Sequence, residues 1–162
     1  TTLHGTDITL VGQHPSYKHA VEFSINQSDK ITTVSESLKA DTLKFFQISK
    51  EIEVITNFID NKEFEDLRVC QRNQFANDDE KILIHVSNLR PVKRVQDVLD
   101  IFKKVEKSVK SKLLILGDGP DVELVHEFIN ANPNLINKIK VLGKVDILYQ
   151  ILRFAVVYLL PF

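Results

Sequence analysis

The 162-residue sequence contains no methionine, no tryptophan and one cysteine, Cys70. A lone cysteine excludes an intrachain disulfide and a thiolate metal cluster, and leaves a reduced, incidental thiol as the expected role. The five histidines, His4, His14, His19, His85 and His126, show no metal-ligand spacing with acidic or cysteine partners. Glycine is scarce too, at five residues, and these build neither a G-x-G-x-x-G after a strand nor a G-x-x-x-x-G-K-S/T loop. A G-x-S-x-G elbow and a legible Ser/His/Asp order are missing as well. Charge of one sign is lacking: 21 Lys and Arg stand against 22 Asp and Glu, for a formal charge of −1. Binding to nucleic acid or to an anionic membrane would therefore need a local patch, and none large enough is visible, so neither is expected as a partner. No apolar run reaches the roughly 18 residues of a membrane helix, and the N-terminus lacks the order of a signal peptide. The cytoplasm is the default expectation.

What is present is core material. With 43% apolar and 27% charged residues, a chain of this length should bury roughly 70% of its unfolded surface. Short β-branched runs alternate with helical patterns: strands at 31–34, 52–56, 81–87, 112–116, 139–142 and 156–160, helices at about 36–46, 94–107, 120–131 and 145–154. Such alternation specifies an α/β class with crossovers and parallel sheets. In 94–107 the residues Val95, Val98, Leu99, Phe102 and Val105 follow 3.6-residue spacing and make one core stripe. Ser35 is placed to cap the helix that follows it. The stretch from Asn57 to Glu80 is polar and poorly periodic. The expected organisation is thus residues 1–57 as the end of one domain, 58–80 as a linker, and 81–162 as the start of a second. The chain opens on TTLHG with no methionine anywhere, and closes on VVYLLPF, a strand pattern with no covering helix after it, so a piece of a longer protein is expected.

The chemistry-bearing residues collect just after the strands: HGTD at 4–7, NLRPVKR at 88–94, GDGP at 117–120 and GKVD at 143–146. In open parallel sheets that is the carboxyl edge, where ligands lie, and with two domains a ligand is expected between two such edges. Arg90, Lys93 and Arg94 crowd the start of a helix whose dipole is already positive. Two readings remain open for them. A phosphate or diphosphate held there would turn the cations into strong charge-assisted partners. A solvated basic loop would cost only a few tenths of a kcal/mol per charge in water. His4, ahead of Gly5, is read either as a substrate contact or, with more weight, as a turn cap. His85, inside an apolar strand, is expected to be a satisfied core imidazole, and GDGP a tight turn leading into Pro120 at a first helical position.

The order SNLRPVKRVQDVL, LLILGDGP, IKVLGKVD, VVYLLP resembles the C-terminal domain of the family 4 retaining glycosyltransferases, which have two Rossmann-like domains (the GT-B type). TTLHGTDITLVG, SDKITTVSESLKADT and IEVITNFID resemble the end of that family's N-terminal domain, so both parallel-sheet domains are expected to be incomplete here. The resemblance is strongest to members acting in bacillithiol biosynthesis. It implies UDP-N-acetylglucosamine as donor, L-malate as acceptor, no metal or other cofactor, and an oligomeric state left open. It implies that Asn88, Arg90 and Lys93 hold the donor diphosphate. It further implies that His4, Gly5 and Thr6 face the transferred sugar, with His4, Arg90 and Lys93 the catalytic residues, Thr2 near the acceptor, and Gly143 and Lys144 close to the uracil. The sequence departs from the family in having Ala155, Val156 and Phe162 where Ser, Asp and Ser are usual, and the family's E-x-x-x-x-x-x-E segment would fall past Phe162. A nucleotide-sugar or phosphate-binding module without catalysis, a transferase with another acceptor, and an inactive partial assembly remain alternatives.

Overall fold

A computed structural model describes residues 1–60 and 70–161; residues 61–69 of the expected linker, and Phe162, lie outside the described residues. The chain divides into two units, Thr1–Asp60 and Asn61–Phe162.

In the first unit, strands β1 (Thr2–Leu3), β2 (Ile31–Thr33) and β3 (Ile52–Val54) form a parallel sheet in that order. Thr2 lies opposite Thr32, and Ile31 opposite Ile52. Helices α1 (Pro15–Gln27) and α2 (Glu36–Phe45) cross between the strands. Leu3, Ile8, Ile25, Ile31, Leu38, Phe46 and Ile52 make the core. Ser35 caps α2 as its position implies, its hydroxyl accepting from the Leu38 N–H at 3.1 Å. Helix α1 had no counterpart in the sequence pattern. Of its thirteen residues only Ile25 is buried, so its apolar stripe is too thin to register as periodicity. Its local signal is the pair at its start: Pro15 in the first turn, and the His14 ring accepting from the Ser16 N–H at 3.3 Å.

The second unit is built on a parallel four-stranded sheet ordered β6-β5-β4-β7, from β4 (Lys81–Val86), β5 (Ser111–Leu116), β6 (Ile139–Gly143) and β7 (Val157–Tyr158). Helices α3 (Val95–Val105), α4 (Val122–Ala131) and α5 (Leu148–Leu152) complete it. Both faces of this sheet are covered, which is why β4 and β5 read as continuous apolar runs rather than as alternation. On one face Leu83, Leu113 and Ile115 pack with Val95, Val98, Leu99 and Phe102 of α3 and Val125 of α4. On the other, Ile82, Ile84, Leu114 and Leu116 pack with Ile151 of α5 and with Cys70 and Ala76.

That second cluster corrects the expected linker, which does not extend through Cys70–Glu80. Cys70 and Ala76 are buried, and the Arg72 guanidinium donates to the carbonyls of Asn77, at 2.6 Å, and of Glu80. Three apolar residues, Cys70, Phe75 and Ala76, suffice to dock a segment whose composition is otherwise polar. The expected helix at 94–107 begins one residue later, at Val95, because Arg94 takes a left-handed backbone (φ 49°, ψ 46°). Its predicted stripe is the core: Val95, Val98, Leu99 and Phe102 are each at most 1% exposed.

Among the described residues, Phe102 is the largest side chain wholly buried. Its replacement by alanine leaves an unfilled cavity and should cost about 3–5 kcal/mol, read as a shift in the urea unfolding midpoint of the second unit.

Candidate functional site

The carboxyl edge of the second sheet is built around the segment from His85 to Val95. His85 ends the buried part of β4, and its ring makes two contacts: Nδ1 to the Leu159 carbonyl at 2.9 Å and Nε2 to the Ser87 hydroxyl at 2.8 Å. The Ser87 oxygen in turn accepts from the Leu89 N–H at 3.1 Å. These contacts fix the tautomer. A carbonyl can only accept, so Nδ1 carries the proton; Nε2 then accepts from the Ser87 hydroxyl, which is left with a lone pair for the Leu89 N–H. Burial holds the imidazole below its usual value; the Leu159 carbonyl acts against that shift, and the charge of Lys93 adds to it. His85 is thus the satisfied core imidazole expected from its strand.

Beyond Ser87 the chain bends sharply. Leu89 has φ 37° with its side chain fully buried, Asn88 and Arg90 are exposed, Pro91–Lys93 form one 3-10 turn, and Arg94 returns at φ 49°. Two left-handed residues therefore bracket Arg90 and Lys93. Left-handed non-glycine backbone is uncommon, and it concentrates in ligand clamps and active sites. The three cations do not share one fate. Arg94 pairs with Asp97, three residues on in the first turn of α3, so this carboxylate serves both the helix dipole and the guanidinium. Arg90 pairs with no carboxylate among the described residues. Lys93 is half-buried near His85.

Neighbouring loops are laced to this segment. Asp121 N–H donates to the Leu89 carbonyl at 2.9 Å, Ser87 N–H to Leu116 at 3.1 Å, and Gly117 N–H to Gly143 at 2.7 Å. A Cβ on Gly117, which has φ 117°, would stand 1.8 Å from the Ser87 carbonyl oxygen, and one on Gly119 would stand 1.9 Å from that of Asn88. The GDGP turn is structural, as its composition suggests, and its glycines let it back directly onto the cation loop; Pro120 is not at the first helical position as expected, because α4 starts only at Val122, after Asp121. Gly143 has φ 66° with open space where a Cβ would lie, and Lys144 beside it is exposed.

In the first unit, His4, Gly5 and Thr6 follow β1. His4 is exposed and has no hydrogen-bond partner among the described residues, which corrects its reading as a turn cap. Asp7 performs that role, taking the Gly5 N–H at 2.9 Å, while the Gly5 carbonyl accepts the N–H groups of Ile8 and Thr9, each at 2.8 Å, in a π turn over Asp7–Val11. Gly5 has φ 133° and open space at its Cβ position. Thr6 is exposed; Thr2 is exposed on β1, its hydroxyl accepting from that of Thr32 at 2.8 Å. Within the second unit the fold gathers Asn88, Arg90, Lys93, Gly143 and Lys144 on one edge. Sequence reasoning missed the chain from His85 through Ser87 to Leu89; its only signal was a histidine two residues before the serine that follows β4.

Residues 70–162 match the family model for glycosyl transferases group 1. Over 162 residues, 99% of this chain and 42% of the relative, the sequence is 40% identical to the N-acetyl-alpha-D-glucosaminyl L-malate synthase of Bacillus anthracis. It is 28% identical to an uncharacterised glycosyltransferase of Methanocaldococcus jannaschii, covering 99% of this chain and 44% of that one. The chain thus spans less than half the length of these curated relatives. Among solved structures it resembles Anabaena HepE in complex with UDP and glucose, with TM-score 0.72 and 19% identity over 97% of this chain and 45% of that one. It also resembles WaaG, a glycosyltransferase involved in lipopolysaccharide biosynthesis, with TM-score 0.67 and 15% identity over 99% of this chain and 50% of that one. These likenesses bear out the GT-B type of α/β fold.

Gly117→Ala should cost more than about 1 kcal/mol in urea unfolding, because it meets both a forbidden φ and the Ser87 carbonyl. The lowered His85 value also fixes a pH dependence. Its folded value lies below the roughly 6.5 of the unfolded ring, so its contribution is complete above pH ~6.5 and is lost as pH falls through the folded value. Unfolding titrations between about pH 7 and pH 5 should show a steeper loss for wild type than for His85→Gln.

Proposed function

Since the chain belongs to the glycosyl transferases group 1 family, we propose that it transfers N-acetylglucosamine from UDP-N-acetylglucosamine to the hydroxyl of L-malate, with retention at the anomeric carbon. The observation that carries this reading is the 40% identity to a glucosaminyl malate synthase, which extends over 99% of the chain and so includes both carboxyl edges. The cation loop supports it. A glycosyl transfer breaks the bond between the anomeric carbon and the diphosphate oxygen and forms one to the acceptor oxygen, whose proton is released. Negative charge grows on the departing diphosphate, so cations fixed in advance at that point stabilise the transition state more than the ground state.

In this reading Arg90 and Lys93 meet the diphosphate as charge-assisted donors, and Asn88 adds a neutral contact. Arg94 is left out, because Asp97 already holds it. A preformed cationic site of this kind does the work that a divalent metal does in other transferases, and the reaction proposed here uses no metal. Gly143 and Lys144 would meet the uracil through backbone groups. His4, which has no hydrogen-bond partner among the described residues, would with Gly5 and Thr6 serve the transferred sugar, and Thr2 the malate.

Incubating the full-length protein with UDP-N-acetylglucosamine and a panel of hydroxy acids, with products read by mass, should give the glucosaminide of malate ahead of the others. Hydrolysis alone, or a sugar acceptor preferred over malate, would overturn the acceptor assignment. In the same assay Lys93→Ala should lose more than about tenfold in turnover, at least about 1.4 kcal/mol of barrier, with an unchanged unfolding midpoint. Wild-type turnover in that variant would remove Lys93 from the mechanism.

A further inference from the structure

The hydrogen-bond chain behind the cation loop runs between two buried residues, His85 and Leu89, through the half-buried Ser87, and includes none of the residues assigned to the substrates above. We propose that His85 is a positioning residue of the anion site: acting through Ser87, it fixes the left-handed turn at Leu89 from which Arg90 and Lys93 are presented. The proposal rests on the reading of that loop as the donor-diphosphate site.

The geometry carries it. His85 is fully buried, and each of its ring nitrogens is spent, Nδ1 on the Leu159 carbonyl at 2.9 Å and Nε2 on Ser87 at 2.8 Å. With Nε2 accepting the hydroxyl proton, the Ser87 oxygen is turned to receive the Leu89 N–H at 3.1 Å. Leu89 needs that hold. Its backbone sits at φ 37°, a conformation that persists only where its surroundings over-determine it. The Asp121 N–H on its carbonyl and the burial of its side chain are the other restraints. Without the ring as acceptor, the Ser87 hydroxyl can turn its proton toward the Leu89 N–H, and the restraint nearest the cations is lost.

The surroundings leave little else for His85 to answer to. Strand β5 sets Ile115 beside it, β7 contributes Tyr158, whose hydroxyl donates to the Val86 carbonyl at 3.0 Å, and the residue after β7 contributes the Leu159 carbonyl. The charged group acting on the ring is Lys93, itself one of the two presented cations. A neutral ring is what the loop requires: a proton on Nε2 would force the Ser87 hydroxyl away from its acceptor and set a like charge beside Lys93.

A purely structural role is the competing account, in which His85 only ties β4 to β7 through Leu159. Two substitutions separate them, because the Asn amide reproduces the Nδ1 position and the Gln amide the Nε2 position. His85→Gln keeps an acceptor for Ser87, and His85→Asn keeps a donor for Leu159. UDP binding to the full-length protein, measured by calorimetry, should be near wild type in His85→Gln and weaker by about three- to tenfold in His85→Asn, the reach of one hydrogen bond. Ser87→Thr should retain affinity and Ser87→Ala should lose it. Amide exchange at Leu89, measured without nucleotide, should speed up in His85→Asn and Ser87→Ala alone. Equal losses in the Asn and Gln variants, or wild-type exchange at Leu89 in His85→Asn, would overturn the positioning role. A wild-type protein that binds no UDP would refute the donor-site reading instead, while the Leu89 exchange rates still decide the part played by His85.

Discussion

The backbone of Leu89 turns left-handed because its side chain is held wholly inside the core while its N–H and C=O are claimed from either side by Ser87 and Asp121. A left-handed residue with a Cβ costs about 1–2 kcal/mol. Burying a leucine returns about 1.5–3 kcal/mol, so the strained turn persists with the hydrogen bonds as a further margin. The course of the cation loop follows from that turn. It carries the chain out of β4 into a short 3-10 turn, and a second left-handed residue, Arg94, returns it to α3. Between the two, Arg90 and Lys93 are confined to a few residues whose backbone has little freedom. A ligand meeting them therefore loses less to loop ordering than it would on a flexible basic segment.

Rigidity of this kind is shared among three strand ends. The loops after β4, β5 and β6 are joined by the hydrogen bonds of Asp121 to Leu89 and of Gly117 to Gly143, and the two glycines of the GDGP turn allow backbone to meet backbone there. A sheet covered on both faces offers its carboxyl edge as the place left for chemistry, since the faces are filled by the clusters around Phe102 and around Ile84. The same sheet buries His85, which makes a neutral ring and a fully used hydrogen-bond set the favourable state.

Electrostatics at the start of α3 resolves an apparent conflict. Three cations beside a positive helix end oppose the dipole, but Asp97 in the first turn offsets both the dipole and Arg94. Among the described residues, the cation left without a carboxylate partner is Arg90. An exposed guanidinium with no carboxylate partner among the described residues costs little in water, and it gains where a diphosphate brings charge that bulk solvent no longer screens. In the transfer proposed above, such charge would develop on the leaving group.

Periodicity and strand composition by themselves determined the α/β class, the order of the elements from β2 onward and the core stripe of α3, because burial on both sheet faces leaves unmistakable apolar runs. They also put the unusual residues after strands, and so on one edge. Tertiary structure alone decided the rest. Helix α1 is held by one fully buried residue, too thin a signal for a pattern, and Cys70–Glu80 docks through three apolar contacts in a polar stretch. The partners of Arg94 and Asp7, the left-handed turns at Leu89 and Arg94, and the reach of His85 through Ser87 depend on where side chains meet in space. Sequence spacing fixes which residues share a face, whereas hydrogen bonds between an imidazole, a hydroxyl and a backbone amide form only when packing brings them within about 3 Å.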